Sequence, residues 1–185
     1  MRVLFFCTVV VLLSLSFGSA VMAGSNIGLY SIGGKIGLVM PEDPIESTFG
    51  LGVHADLGQI TKDIHLSALI DYWRKSYDSG TPLYGKAEWN WTEIIIGATA
   101  KYFFKTKSII EPYAGGGLGL TIGRSKWETE NYDDSASDTD FGLHFVGGLE
   151  YPLSPTMKGI AEAKYHVNGA DYFGIFAGIT FLLGK

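Results

Sequence analysis

The sequence predicts an all-β chain: eight antiparallel strands closed into an up-and-down transmembrane β-barrel, following a cleaved signal peptide. Three observations predict it. Beyond the N-terminal segment no stretch is apolar and long enough for a spanning helix, so a mature chain that enters a membrane must enter as strands. Eight stretches of about 10 to 14 residues alternate apolar side chains with glycine, hydroxyl and charged ones. The connections after the second, fourth and sixth of these stretches are short; the others are longer, polar, or broken by Pro and Gly.

The N-terminus reads as a secretory signal. Arg2 supplies the positive region, Val3 to Phe17 a mostly apolar run, and Val21 and Ala23 the −3 and −1 positions of a cut before Gly24. The domains are therefore a signal peptide over residues 1–23 and a barrel over residues 24–185. Cys7, the single cysteine, leaves with the signal, which excludes disulfides and cysteine metal sites from the mature chain. Losing Arg2 makes the net charge of −5 one unit more negative, and an acidic chain without a basic run gives no support for nucleic-acid binding.

The strands follow in order. Leu29–Met40 sets Ile32, Ile36, Leu38 and Met40 against Ser31, Gly33, Lys35 and Gly37, and Pro41–Ser47 breaks it. Thr48–Ile60 sets Phe49, Leu51, Val53, Ala55 and Leu57 against Gly50, Gly52, His54, Asp56 and Gly58. After a tight turn, Ile64–Tyr77 opposes Leu66, Ala68, Ile70 and Tyr72 to His65, Ser67, Asp71 and Trp73. Asp78–Trp91 reads as a long loop. Thr92–Phe104 then places Ile94, Ile96, Ala98, Ala100 and Tyr102 against Glu93, Gly97, Thr99 and Lys101.

The fifth strand, Ile109–Trp127, organises the rest. Ile110, Ala114, Leu118, Leu120 and Ile122 make one oily face; Glu111, Tyr113, three glycines, Thr121 and Ser125 make a small polar one. A second long loop spans Glu128–Asp140. Phe141–Tyr151 alternates Leu143, Phe145 and Leu149 with His144, Gly148 and Glu150. Met157–His166 opposes Ala161, Ala163 and Tyr165 to Lys158, Ile160, Glu162 and Lys164. Tyr172–Leu183 closes the series, with Phe173, Ile175, Ala177, Ile179 and Phe181 outward and Gly174, Gly178 and Thr180 inward.

Oil facing acyl chains and small polar groups facing a narrow axis fit a barrel in lipid, with both termini in the periplasm and long loops outside. Closure removes free sheet edges. Aromatic residues gather at strand ends as two interfacial belts: Tyr102, Phe104, Tyr151 and Phe181 at the periplasmic side, and Tyr72, Tyr77, Trp91, Trp127, Phe141 and Tyr165 at the outer side.

The glycine-rich PYAGGGLGL stretch after a charged turn, and a signal peptide followed by eight such strands, resemble the small outer-membrane β-barrel family, the OmpA/OmpX-like and opacity-protein-like group. The resemblance covers the whole mature chain and implies an outer-membrane location in a Gram-negative bacterium. Family members often end on an aromatic residue read by the assembly machinery; here Leu182, Leu183, Gly184 and Lys185 follow Phe181.

All four histidines, His54, His65, His144 and His166, fall on the predicted inward face. So do Asp56, Asp71, Glu93, Glu111, Glu150, Glu162, Lys35, Lys101, Lys158 and Lys164. A filling of hydrogen-bonded ion pairs accounts for them, since an eight-strand barrel leaves room for side chains and no wide channel. A narrow ion path is the alternative. His65 and Ser67 stand two apart on one face, the spacing of the His-x-Ser pair in some outer-membrane lipid hydrolases, but they point inward, beyond the reach of a lipid chain. Glu128, Glu130, Asp133, Asp134, Asp138 and Asp140 crowd the third outer loop without the spacing of a calcium-binding EF-hand, and read as a solvated acidic loop. Tyr84, Trp89 and Trp91 read equally as a recognition surface or as interface anchors.

The expectation is an integral outer-membrane protein with a structural or surface-interaction role. It is a monomer, with no catalytic residue, no cofactor and no metal site. Its partners are outer-membrane lipids, lipopolysaccharide and a surface ligand taken through the outer loops. The alternatives are a lipid-modifying hydrolase, a narrow pore, and a soluble lipocalin-type barrel with the apolar face inward.

Overall fold

The computed structural model describes residues 26–81, 85–129, 132–167 and 170–183. Residues 1–23, read above as a signal peptide, lie outside them, as do Tyr84 and Glu130. Eight strands follow one another: β1 (Asn26–Pro41), β2 (Thr48–Thr61), β3 (Ile64–Thr81), β4 (Gly85–Phe103), β5 (Glu111–Thr129), β6 (Tyr132–Ser154), β7 (Met157–Val167) and β8 (Tyr172–Leu182). Each pairs antiparallel with its neighbours, and β1 closes on β8 from Ser31↔Leu182 to Pro41↔Tyr172. The result is a closed up-and-down barrel, as the alternation predicts.

The faces sort as expected. Phe49 is 72% exposed and Phe141 67%, and Leu51, Val53, Ile96, Leu118 and Ile175 are exposed with them. Lys35, Asp71, Lys101, Glu162 and Lys164 are buried inside. In water such an outer surface would be a contiguous apolar patch of the kind soluble monomers avoid; facing hydrocarbon it costs nothing. A lipocalin-type barrel would need the opposite sorting.

Two of the predicted long loops are instead strand. β3 runs on to Thr81 and β4 starts at Gly85, paired without a break from Tyr72↔Ile94 to Thr81↔Gly85. Likewise β5 and β6 stay paired from Leu120↔Phe141 out to Thr129↔Tyr132. Past the last oily row both faces meet water, so the apolar alternation that marks a half-buried strand disappears while the backbone ladder continues. Ring stacking supports the first hairpin: Tyr77 lies over Trp89 with centroids 5.0 Å apart. The aromatic belt changes accordingly. Tyr72, Phe141 and Tyr165 face outward, whereas Tyr77 and Trp91 share the inward side of their strands with Trp73 and Glu93. Trp127 also falls on the inward parity of β5, exposed on the projecting hairpin.

At the end carrying both termini the β2–β3 and β6–β7 connections are tight, and Phe104–Ile110 joins β4 to β5. Gly58 takes φ +99° at the bulge where β2 loses register with β3, a conformation favouring glycine. Lys105 reaches across this end to Asp63, and that hydrogen bond holds its ammonium above the ordinary lysine range.

Candidate functional site

One local rule builds the interior. A long polar side chain on one strand reaches over a glycine on the next and bonds a side chain on the strand beyond. Lys35 on β1 faces Gly52 on β2, which faces Asp71 on β3; Lys35 Nζ lies 3.2 Å from Asp71 Oδ1. His54 crosses Gly33 to Thr180, with Nε2 to Oγ1 at 2.8 Å. His144 crosses Gly117 to Thr99 at 2.7 Å. Tyr113 crosses Gly148 and donates to Glu162 at 2.7 Å. His166 reaches obliquely over Gly142 to Thr121 at 3.0 Å. The glycines are required by space. A Cβ at Gly33 would stand 2.5 Å from His54 Nε2, one at Gly52 2.6 Å from Lys35 Cε, and one at Gly148 2.7 Å from the Tyr113 ring.

These crossings knit one ion network. Glu162 accepts from Lys35 at 2.8 Å and from Tyr113, and Lys101 stands 3.4 Å from it. Asp71 accepts from Lys164 at 2.6 Å as well as pairing with Lys35. Three ammoniums thus surround two carboxylates, all buried. The remaining positive charge leans on aromatic faces: Lys35 lies 4.8 Å from the Phe176 ring centroid and Lys101 4.5 Å from that of Tyr113. Nearer the termini Lys158 pairs with Glu150 at 3.1 Å and with Glu111 at 2.5 Å.

Toward the opposite end the filling is not ionic. Val39, Leu69, Trp73, Ile95, Tyr172 and Phe176 pack together with Ile45 from the β1–β2 connection. This apolar plug adds to the ion pairs expected of the titratable residues. Its members sit at inward positions where the sequence simply has large residues in place of glycine.

His65 does not hydrogen-bond to Ser67. His65 Nδ1 lies 3.0 Å from Asp56 Oδ2 and its Nε2 3.2 Å from Gln59 Nε2, so both ring nitrogens are engaged away from Ser67. The acidic residues of the predicted third loop are dispersed: Glu128 pairs with Lys126, Asp134 is exposed, and Asp138 and Asp140 lie on the inward side of β6. The side chain of Asp133 is outside the described set.

The outer face of the β3–β5 hairpins carries residues that the sequence reading passed over. Tyr72, Ile94 and Ile122 form the last oily row across the three strands. The next row is Arg74, Thr92 and Arg124; the one after it is Ser76, Asn90 and Lys126. Arg74 donates to Asn90 Oδ1 at 2.7 Å, and Arg124 is exposed. All three cations fall inside strands read from the sequence, Ile64–Tyr77 and Ile109–Trp127, and carrying period two past Tyr72 and Ile122 puts them on the outward face.

The family model for the outer membrane protein beta-barrel domain matches residues 9–181. Among solved structures, the chain is similar to Neisserial surface protein A, at 18% identity and a TM-score of 0.66, over 85% of this chain and 99% of that one. It is similar to a major outer membrane protein from Thermus thermophilus, at 9% identity and a TM-score of 0.60, over 84% and 100%. It is also similar to Ail of Yersinia pestis, solved with the heparin analogue sucrose octasulfate, at 14% identity and a TM-score of 0.53, over 84% and 97%. Among curated protein sequences none matches. At these identities the likeness is one of fold.

Proposed function

We propose, from the premise that the chain belongs to the outer membrane protein beta-barrel domain family, that it is an integral protein of the Gram-negative outer membrane with a structural, surface-interacting role and no catalysis. Residues 1–23 are removed as a signal peptide, the barrel works as a monomer, and its outer edge binds the phosphate groups of lipopolysaccharide.

The observation that carries this reading is the row order on the outward face. Arg74, Arg124 and Lys126 stand on the lipid-facing side of the sheet, immediately past the last apolar row. That is the level of head groups, where guanidinium and ammonium groups meet phosphate as charge-assisted donors. Two further features support it over the alternatives. The engagement of both His65 nitrogens leaves Ser67 without a base. The plug around Trp73 and Phe176 opposes a continuous water path.

The test uses mature chain folded into zwitterionic bilayers with and without lipopolysaccharide. Lipopolysaccharide should raise the unfolding midpoint of the wild type, and the triple variant Arg74→Gln, Arg124→Gln, Lys126→Gln should lose most of that gain. A wild type indifferent to lipopolysaccharide sinks the reading. In the same preparations lipid A should keep its acyl chains; fatty-acid release abolished by His65→Ala would establish the hydrolase instead.

A further inference from the structure

At one glycine crossing two acceptors meet. Glu93 on β4 faces Gly123 on β5, which faces Asp138 on β6. At the five crossings described above the two side chains are donor and acceptor. Here both are carboxylates, and between them lies a cavity of about 370 Å³. Asp140, Trp91, Thr121 and Ser125 are among the other residues that line it.

Glu93 is 1% exposed and accepts a hydrogen bond from the Trp73 indole N–H at 3.3 Å. No ammonium or guanidinium lies within 4.0 Å of Glu93, Asp138 or Asp140 among the described residues. The nearby lysines are committed elsewhere, Lys164 to Asp71 and Lys75 to Glu46. A buried carboxylate facing a second one across a void is an unfavourable arrangement that a cation in the void would relieve.

We propose that this cup binds an organic cation carrying more than one ammonium or guanidinium group. Among the described residues no three carboxylate, histidine or cysteine side chains converge to hold one metal ion, so the charges suit an extended, polyatomic ligand. The Trp91 indole gives an apolar and quadrupolar wall for methylenes and for a cationic head, which a hydrated metal ion would not use. A smaller cavity shares Trp91 and Ala170 with it and carries Glu42, Asp43 and Asp171, which adds to the negative field beside it. The shared chemistry has two sources: a free polyamine, or a Lys- or Arg-rich segment of another protein.

The experiment titrates the folded mature barrel, in non-ionic detergent, with spermidine and separately with a tri-arginine peptide, following tryptophan fluorescence and calorimetry. At least one probe should bind saturably. Glu93→Gln and Asp138→Asn should each weaken it about tenfold or more, Trp91→Leu by about fivefold, and Asp63→Asn at the opposite mouth should change nothing. Retained heat-modifiable migration verifies that each variant is folded. Spermidine alone binding supports the free polyamine, and peptide alone supports a basic segment. Absence of saturable binding by both, equal competition by Mg²⁺ at matched ionic strength, or unchanged affinity in Glu93→Gln overturns the proposal. The outer-face cations are untouched by these variants, so failure here leaves the lipopolysaccharide reading standing.

Discussion

Replacing Gly117 by alanine tests the rule on which the interior depends. A Cβ there would overlap the Ala98 carbonyl and stand 2.7 Å from His144 Cε1. The backbone oxygen is fixed by the β4–β5 ladder, so the imidazole must move, and its 2.7 Å bond to Thr99 breaks. His144 and Thr99 are both fully buried. Overpacking costs about 1–3 kcal/mol, and leaving the pair unsatisfied costs about 1–3 kcal/mol more. The sum is a destabilisation of about 2–6 kcal/mol. The matched control is Gly147→Ala on the lipid-facing side, where a Cβ meets nothing within 4 Å. Relief of glycine's chain entropy there should leave stability unchanged or slightly raised. Both are measured by reversible urea unfolding from bilayers or micelles, with the temperature of the heat-modified gel transition as a second readout. If Gly117→Ala falls within about 0.5 kcal/mol of Gly147→Ala, an ordinary surface-like effect, the crossing geometry is wrong.

Three other perturbations probe separate parts of the barrel. Glu162→Gln leaves Lys35, Lys101 and Lys164 with Asp71 as their one carboxylate in the network, and should cost about 3–5 kcal/mol in the same unfolding assay; wild-type stability would contradict the ion network. Val53→Arg puts a charge on the lipid face, where Val53 is 52% exposed, and should cost about 2–4 kcal/mol near the bilayer midplane; a neutral result would place that face in water. Trp73→Ala removes the largest member of the plug, with an expected loss of about 3–5 kcal/mol. Planar-bilayer recordings should then show steady conductance in the variant and none in the wild type, and steady wild-type current would restore the pore alternative.

Period two was enough to sort nearly every barrel-spanning side chain, because a strand between hydrocarbon and a packed axis has only two environments. That is why Lys35, Asp71, Lys101, Glu162, Lys164 and the four histidines could be placed inward from the sequence. It failed where the environment stopped differing between faces. Past Tyr72 and Leu120 both sides of the hairpins are wet, alternation carries no signal, and the paired strand over Gly85–Trp91 and Tyr132–Asp140 reads as loop. Trp91 and Tyr77 were assigned to a lipid belt for the same reason.

Which inward residues touch is a different kind of information. His144 meets Thr99, and Glu93 meets Asp138 across a void, because three strands align at Gly117 and at Gly123. Glycine count and alternation specify that small residues line the axis, but registers between strands decide which long side chain lies over which glycine. The strand number and the inside-outside sorting therefore belong to the sequence alone. The ion network, the plug and the acidic cup exist only once the ring is closed, since closure fixes the lateral registers that bring distant strands into contact across a narrow interior.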